Sequence, residues 1–87
     1  MNNVVWKYPV NIRGLTELNL PGGAQVLTTN LQNEQPFLWA LVDLNKPLTI
    51  RHFKLVDTGE PFEANSTFYV GSIFPEGGRF VFHLFEV

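Results

Sequence analysis

The last nine residues, RFVFHLFEV (79–87), decide how this chain is read. In an extended strand successive side chains point to opposite faces, so Phe80, Phe82 and Leu84 share one side and Val81, His83, Phe85 and Val87 the other. Both sides are apolar. An antiparallel sheet in a small domain ordinarily keeps one face wet. The second face here demands a cover, either a second sheet and a loop or another copy of the chain. FLWALVDL (37–44) makes the same demand, with Phe37, Trp39 and Leu41 on one side and Leu38, Ala40, Val42 and Leu44 on the other, and is predicted to be a central strand.

Working outward, no stretch sustains a 3.6-residue period, whereas runs of β-branched and aromatic residues recur between Gly, Pro, Asn and Asp clusters. In VVWKYPVNI (4–12), Val4, Trp6, Tyr8, Val10 and Ile12 share a face, and Pro9, which cannot donate to a ladder, marks an edge strand. Leu15 to Leu20 form a second strand, closed by the turn Pro21-Gly22-Gly23. Ala24 to Leu31 and Phe37 to Leu44 read as a hairpin through the polar connector QNEQP (32–36). In LTIRHFKLV (48–56) the apolar phase shifts from Leu48 and Ile50 to Phe53 and Leu55, which predicts a β-bulge near Arg51-His52. DTGEPFEANS (57–66) is the longest polar connector and the expected mobile loop. Thr67 to Phe74 and Arg79 to Val87 form a hairpin around Pro75-Glu76-Gly77-Gly78, and the terminal strand could add to a neighbour's sheet. The expectation is an all-β fold: a small sandwich or flattened barrel of six to seven short, mostly antiparallel strands in a single domain, 1–87.

Size and composition narrow the function. A chain of 87 residues has one core, and its 14% aromatic content, at roughly 150–250 Å² buried per ring, compensates for small size. Without cysteine there is no disulfide scaffold, thiolate zinc site or cysteine nucleophile. A net charge of −2, with no long charged run, gives no electrostatic ground for double-stranded nucleic acid or an anionic membrane as partner. The start MNNVVWKYPV lacks the pattern of a signal peptide, and no segment approaches the ~20 apolar residues of a span, so a soluble cytosolic protein is expected. On that expectation the acceptor triplet Asn65-Ser66-Thr67 is idle.

The residues of chemistry are sparse. His52 and His83 stand in different strands without metal-ligand spacing, and each reads as a hydrogen-bonded sheet residue; no metal or other cofactor is expected. Ser66 and Ser72 lie in no nucleophile elbow, and Glu60 and Glu63 read as solvated loop acids. Gly22-Gly23 and Gly77-Gly78 open no helix and fit no phosphate loop, so turns explain them. Nothing supplies a nucleophile, base and orienting partner at a recognisable spacing, which favours a non-enzyme. Two doubly apolar strands in so short a chain imply an exposed aromatic face, and exposed apolar patches mark association surfaces.

KYPVNI (7–12), ELNLPGGAQVL (17–27), FLWALVD (37–43) and the closing FVFHLFEV (80–87) resemble, in that order, a family of small β-rich proteins encoded by bacteriophages and prophages. In that family a K-Y-x-[IL] start, an L-P-x-G-A stretch, an L-W-A-L-V-D core and an aromatic-His-aromatic tail occur together. The resemblance covers most of the chain and implies an accessory protein in the host bacterial cytosol, with no reaction to carry over. Two readings result. The first is a non-enzymatic phage accessory protein, self-associating as a homo-oligomer, that binds and inhibits a host protein or defence factor through Trp6, Tyr8, Trp39, Phe82, His83 and Phe85. The alternative is a small-ligand binder sequestering a signalling nucleotide with Arg51, Lys54 or Arg79, its base stacked on Trp6 or Tyr8.

Overall fold

The computed structural model describes residues 3–87. Seven strands, β1 (Asn3–Pro9), β2 (Leu15–Pro21), β3 (Gln25–Gln32), β4 (Gln35–Asp43), β5 (Leu48–Asp57), β6 (Phe68–Ile73) and β7 (Phe82–Glu86), form two antiparallel sheets of order β1-β4-β3 and β2-β5-β7-β6. The sheets pack face to face, so the architecture is a sandwich and not a closed barrel. Pro75–Gly78, between β6 and β7, is a single tight turn in which Glu76 and Gly77 take left-handed backbone angles, φ 52° and 66°.

Alternation fills the space between the sheets. Leu38, Ala40 and Val42 of β4 meet Leu18 and Leu20 of β2, Phe53 and Leu55 of β5, Ile73 of β6 and Leu84 of β7, and all are buried. Each of these side chains other than Ala40 contributes on the order of 1.5–3 kcal/mol of transfer free energy. The sheets come closest where β3 meets β6. There the Cβ of any residue replacing Gly71 would lie 3.1 Å from Thr29 Cγ2, so glycine lets the two strands touch. Thr29 is buried at that contact and satisfies its hydroxyl by donating to the Phe37 carbonyl at 2.7 Å.

Both doubly apolar stretches are interior strands: β4 lies between β1 and β3, and β7 between β5 and β6. Because both edges of β7 are taken, the terminal strand cannot extend a neighbour's sheet, contrary to expectation. β1 occupies an edge, as Pro9 requires.

Two local readings are corrected. β5 pairs with β2 in unbroken register from Leu48 to Lys54, so no bulge stands at Arg51-His52. The apparent phase shift has another origin: Leu48 and Ile50 lie on the outer face, 65% and 58% exposed, while Arg51 shares the inner face with Phe53 and Leu55. The register shifts occur instead between Val26 and Thr28 in β3 and between Tyr69 and Gly71 in β6. QNEQP is not a five-residue connector. Gln32 pairs with Gln35, and Asn33 and Glu34 at φ 52° and 62° make a two-residue turn of the type whose twist suits a hairpin.

The connector expected to be mobile is a strap. Residues 58–66 fold back over the outer face of the four-stranded sheet: Phe62 packs on Phe85 with centroids 4.8 Å apart, and Val56, buried apart from the main core, lies on the covered face. Gly59, at φ 89°, allows the tight turn in which the Glu60 amide donates to the Asp57 carbonyl at 3.0 Å. The second dry face of RFVFHLFEV is therefore covered by the chain's own loop.

Candidate functional site

The polar chemistry gathers under the strap. Tyr69 and Ser72 of β6, His83 of β7 and Thr58 of the strap form a chain with spacings of 2.6 Å (Tyr69 Oη to Ser72 Oγ), 2.7 Å (Ser72 Oγ to His83 Nδ1) and 2.8 Å (His83 Nε2 to Thr58 Oγ1). Hairpin pairing puts Ser72 opposite His83, and the bulge after Tyr69 brings that ring onto the same outer face. The polarity of the chain follows from one end. The Thr58 hydroxyl donates to the Val81 carbonyl at 3.2 Å, so it accepts from His83 Nε2–H. In the tautomer with its proton on Nε2, His83 accepts from Ser72 at Nδ1, and Ser72 in turn accepts from Tyr69.

A serine donating to a histidine is the start of a hydrolase mechanism, but here the second ring nitrogen rests on a hydroxyl. A hydroxyl lacks the negative charge with which a carboxylate stabilises the imidazolium formed during acyl transfer. What the chain does mechanically is clear: with the Thr58 amide, which donates to the Val81 carbonyl at 3.2 Å, it fastens the first turn of the strap to β7.

The same turn forms one wall of a cleft of about 610 Å³, within the range of small-molecule sites. Leu55, Pro75 and Phe82 line its apolar side, and Ile12 and Phe80 stand partly exposed at its rim. Its charges are Arg13 and Lys54 against Asp57, Glu60 and Glu76, a surplus of one negative charge. Lys54 is loosely paired with Glu60 at 3.8 Å.

The opposite end of the sandwich is closed by Arg51. Its Nε and Nη2 donate to the two carboxylate oxygens of Glu86, each at 2.7 Å, and its Nη1 donates to the Ala24 carbonyl in the β2–β3 connection. The bidentate bond to Glu86 raises the Arg51 pKa, against the opposing effect of burial. This guanidinium is committed to the fold.

The outer face of the three-stranded sheet is different again. Val5, Leu41, Trp39 and Phe37 line it, and the β3 bulge turns Leu27 as well as Thr28 toward a shallow groove shared with Val5, Asn30 and Trp39. Nothing among the described residues folds over it as the strap does over the other sheet.

The three candidate cations do not converge. Arg51 points between the sheets, Lys54 points outward from the same strand into the cleft, and Arg79 stacks on Phe80 at 5.6 Å in the β6–β7 turn. The candidate interaction residues are likewise dispersed. Trp39 is on the bare face; Trp6 and Tyr8 lie on the inner flank of β1, Trp6 half exposed; Phe82 packs against the core; His83 and Phe85 sit under the strap. Sequence reasoning missed Tyr69, Ser72 and Thr58. A signal for Ser72 existed, since folding the terminal hairpin symmetrically about Gly77-Gly78 sets it across from His83. No group of three or more His, Asp or Glu side chains that could hold a metal ion occurs among the described residues, and no helix among them is long and apolar enough to cross a membrane.

Fold and site together define a class: a small two-sheet β-domain with one strapped outer face and one bare one, its polar side chains used mainly to hold the fold closed. The family model described as "Domain of unknown function (DUF7352)" matches residues 1–87, and the chain belongs to that family. Neither the curated proteins nor the solved structures contain a match to it.

Proposed function

We propose that this domain is a non-enzymatic attachment module, an accessory protein of a bacteriophage or prophage that acts in the host cytosol by binding and inhibiting a host protein. The observation that carries the attachment reading is the bare face, where Val5, Leu27 and Leu41 are 55%, 44% and 36% exposed beside Trp39. Contiguous apolar surface rimmed by polar groups is what association surfaces offer. The assignment to phage rests on the ordered resemblance of KYPVNI, ELNLPGGAQVL, FLWALVD and FVFHLFEV.

The test is expression in a bacterial host. The wild-type chain is expected to slow growth and to purify with one host protein in fixed ratio, Leu27→Glu and Trp39→Glu to lose both effects, and Ile50→Glu, on the other sheet, to keep them. Loss of both effects with Ile50→Glu and retention with the bare-face variants would defeat the assignment to this face.

A second reading, a small-ligand binder, is favoured by the cleft at the foot of the strap. Its charge balance disfavours a nucleotide, whose phosphate would meet three carboxylates, and suits a cationic or zwitterionic molecule with an apolar body. Thermal-shift screening separates the two, because ligand at about 100 times its Kd adds roughly 2.7 kcal/mol of stability. A shift with amines and none with nucleotides is expected if the cleft is used.

A further inference from the structure

We infer that the bare face of the three-stranded sheet binds a second copy of this chain, the two sheets stacked antiparallel about a two-fold axis near the Val5–Leu41 pair. This rests on the reading of the domain as an attachment module: the second copy and the host protein compete for the one face, and the host protein displaces the copy.

Register fixes what the face presents. Asn3 and Asp43, Val5 and Leu41, Lys7 and Trp39, and Pro9 and Phe37 are opposed in β1 and β4, and Gln25, Thr28, Asn30 and Gln32 continue the same side in β3. The centre is apolar, the border is mostly amide and hydroxyl, and among the described residues of this face Lys7 and Asp43 alone carry charge. Depletion of charge at the centre is the compositional mark of an interface core. A strongly charged partner would find little to pair with. A second copy would find an almost neutral surface like its own, as an isologous contact requires.

The two charges also set an orientation. They stand four residues apart along the sheet, about 13 Å at the usual rise per residue. Rotation about an axis midway between them brings Lys7 of each copy over the Asp43 end of the other, twice per dimer. A parallel stacking would instead set like charges against like. Lys7 is already steered over this face, its ammonium 4.6 Å from the Phe37 ring centroid and donating to Gln32. The Asp43 carboxylate accepts the Asn45 amide through Oδ1, leaving Oδ2 for the partner. Three strands of this length project only about 400 Å² of sheet, against roughly 800 Å² per partner in a standard interface, so the dimer is a dissociable one.

Analytical ultracentrifugation over a concentration series tests this. The wild type is expected to pass from monomer to dimer, and Leu41→Lys to remain monomeric while keeping a native circular dichroism spectrum. Lys7→Glu and Asp43→Lys alone each weaken association roughly ten-fold, since two attractive pairs become repulsive. An equimolar mixture of those two variants restores dimerisation. In the mixed dimer the carboxylate introduced at position 7 of one chain faces the ammonium introduced at position 43 of the other, and the native Lys7 and Asp43 that remain form the second pair. A wild-type dimer indifferent to Leu41→Lys, or a mixture no tighter than its components, overturns the two-fold arrangement. A chain that stays monomeric but carries a different protein on this face overturns the inference and leaves the attachment reading standing; a monomer that binds no protein overturns both.

Discussion

The outer faces of the two sheets begin from similar strands and end differently. Over the four-stranded sheet, Phe62 lies on Phe85, Val56 is buried, and Thr58 closes a hydrogen-bond chain on His83. Over the three-stranded sheet, Val5, Leu27 and Leu41 keep a large part of their surface open to solvent. The difference comes from loop length. β5 and β6 are separated by residues 58–67, enough chain to cross a sheet, whereas β3 and β4 are joined by Asn33 and Glu34 alone. A two-residue turn is used up in reversing direction and can cover nothing. One face is therefore partly covered within the chain around Val56 and Phe85, and the other stays open among the described residues.

Substitutions on the two faces should behave differently. The largest effect should come from Phe85→Ala, which removes the ring shared by Phe62 and Tyr69 and opens the strapped face. A loss of about 2–4 kcal/mol in urea unfolding is expected, with new proteolytic cleavage between residues 59 and 66. A stable protein with an uncut strap would show that the loop does not depend on this ring. Next is His83→Ala, which leaves Ser72 and Thr58 without their shared partner and should cost about 1–2 kcal/mol. Amide exchange should accelerate in the strap but not in β1 or β4; equal acceleration in both sheets would mean that His83 supports the whole fold.

On the bare face the same kind of change should do little to the monomer. Leu27→Ser, at an exposed bulge position, is expected to alter stability in dilute solution by no more than about 0.5 kcal/mol. A large loss would show that this face is already closed in the isolated chain. The smallest effect concerns Tyr8, on the inner flank of β1, whose hydroxyl pKa burial raises. A folded-state pKa above the unfolded value means that the associated stability is intact below the ordinary tyrosine range near pH 10 and is lost as pH rises through the folded value. Tyr8→Phe should flatten the alkaline limb of a stability-against-pH curve, and an unchanged slope would place Tyr8 in a more open setting.

Much of this architecture is legible in the residues. Alternation in FLWALVD marked an interior strand and that in FVFHLFEV a strand dry on both faces, though not its place inside the sheet; Pro9 marked an edge, and Gly77-Gly78 marked the last hairpin. The Arg51 reading failed because a period-two pattern assigns faces by polarity, and Arg51 is a charged residue on the inner face, accommodated by Glu86 and the Ala24 carbonyl. The bulges at Val26/Thr28 and Tyr69/Gly71 were invisible for the opposite reason: each shifts the pairing without breaking a run of strand-forming residues. The relay was only half legible. Hairpin symmetry joins Ser72 to His83, but Thr58 reaches that ring from 25 positions away, over a path set by how the strap packs.

By itself the sequence determined an all-β chain with a central FLWALVD strand and a terminal strand dry on both faces, because strand period and turn chemistry are local properties of covalent geometry. Only the tertiary structure decided which apolar face is covered and where Arg51 and His83 find their partners. Those outcomes depend on groups far apart along the chain meeting in space, and no local pattern records a meeting of that kind.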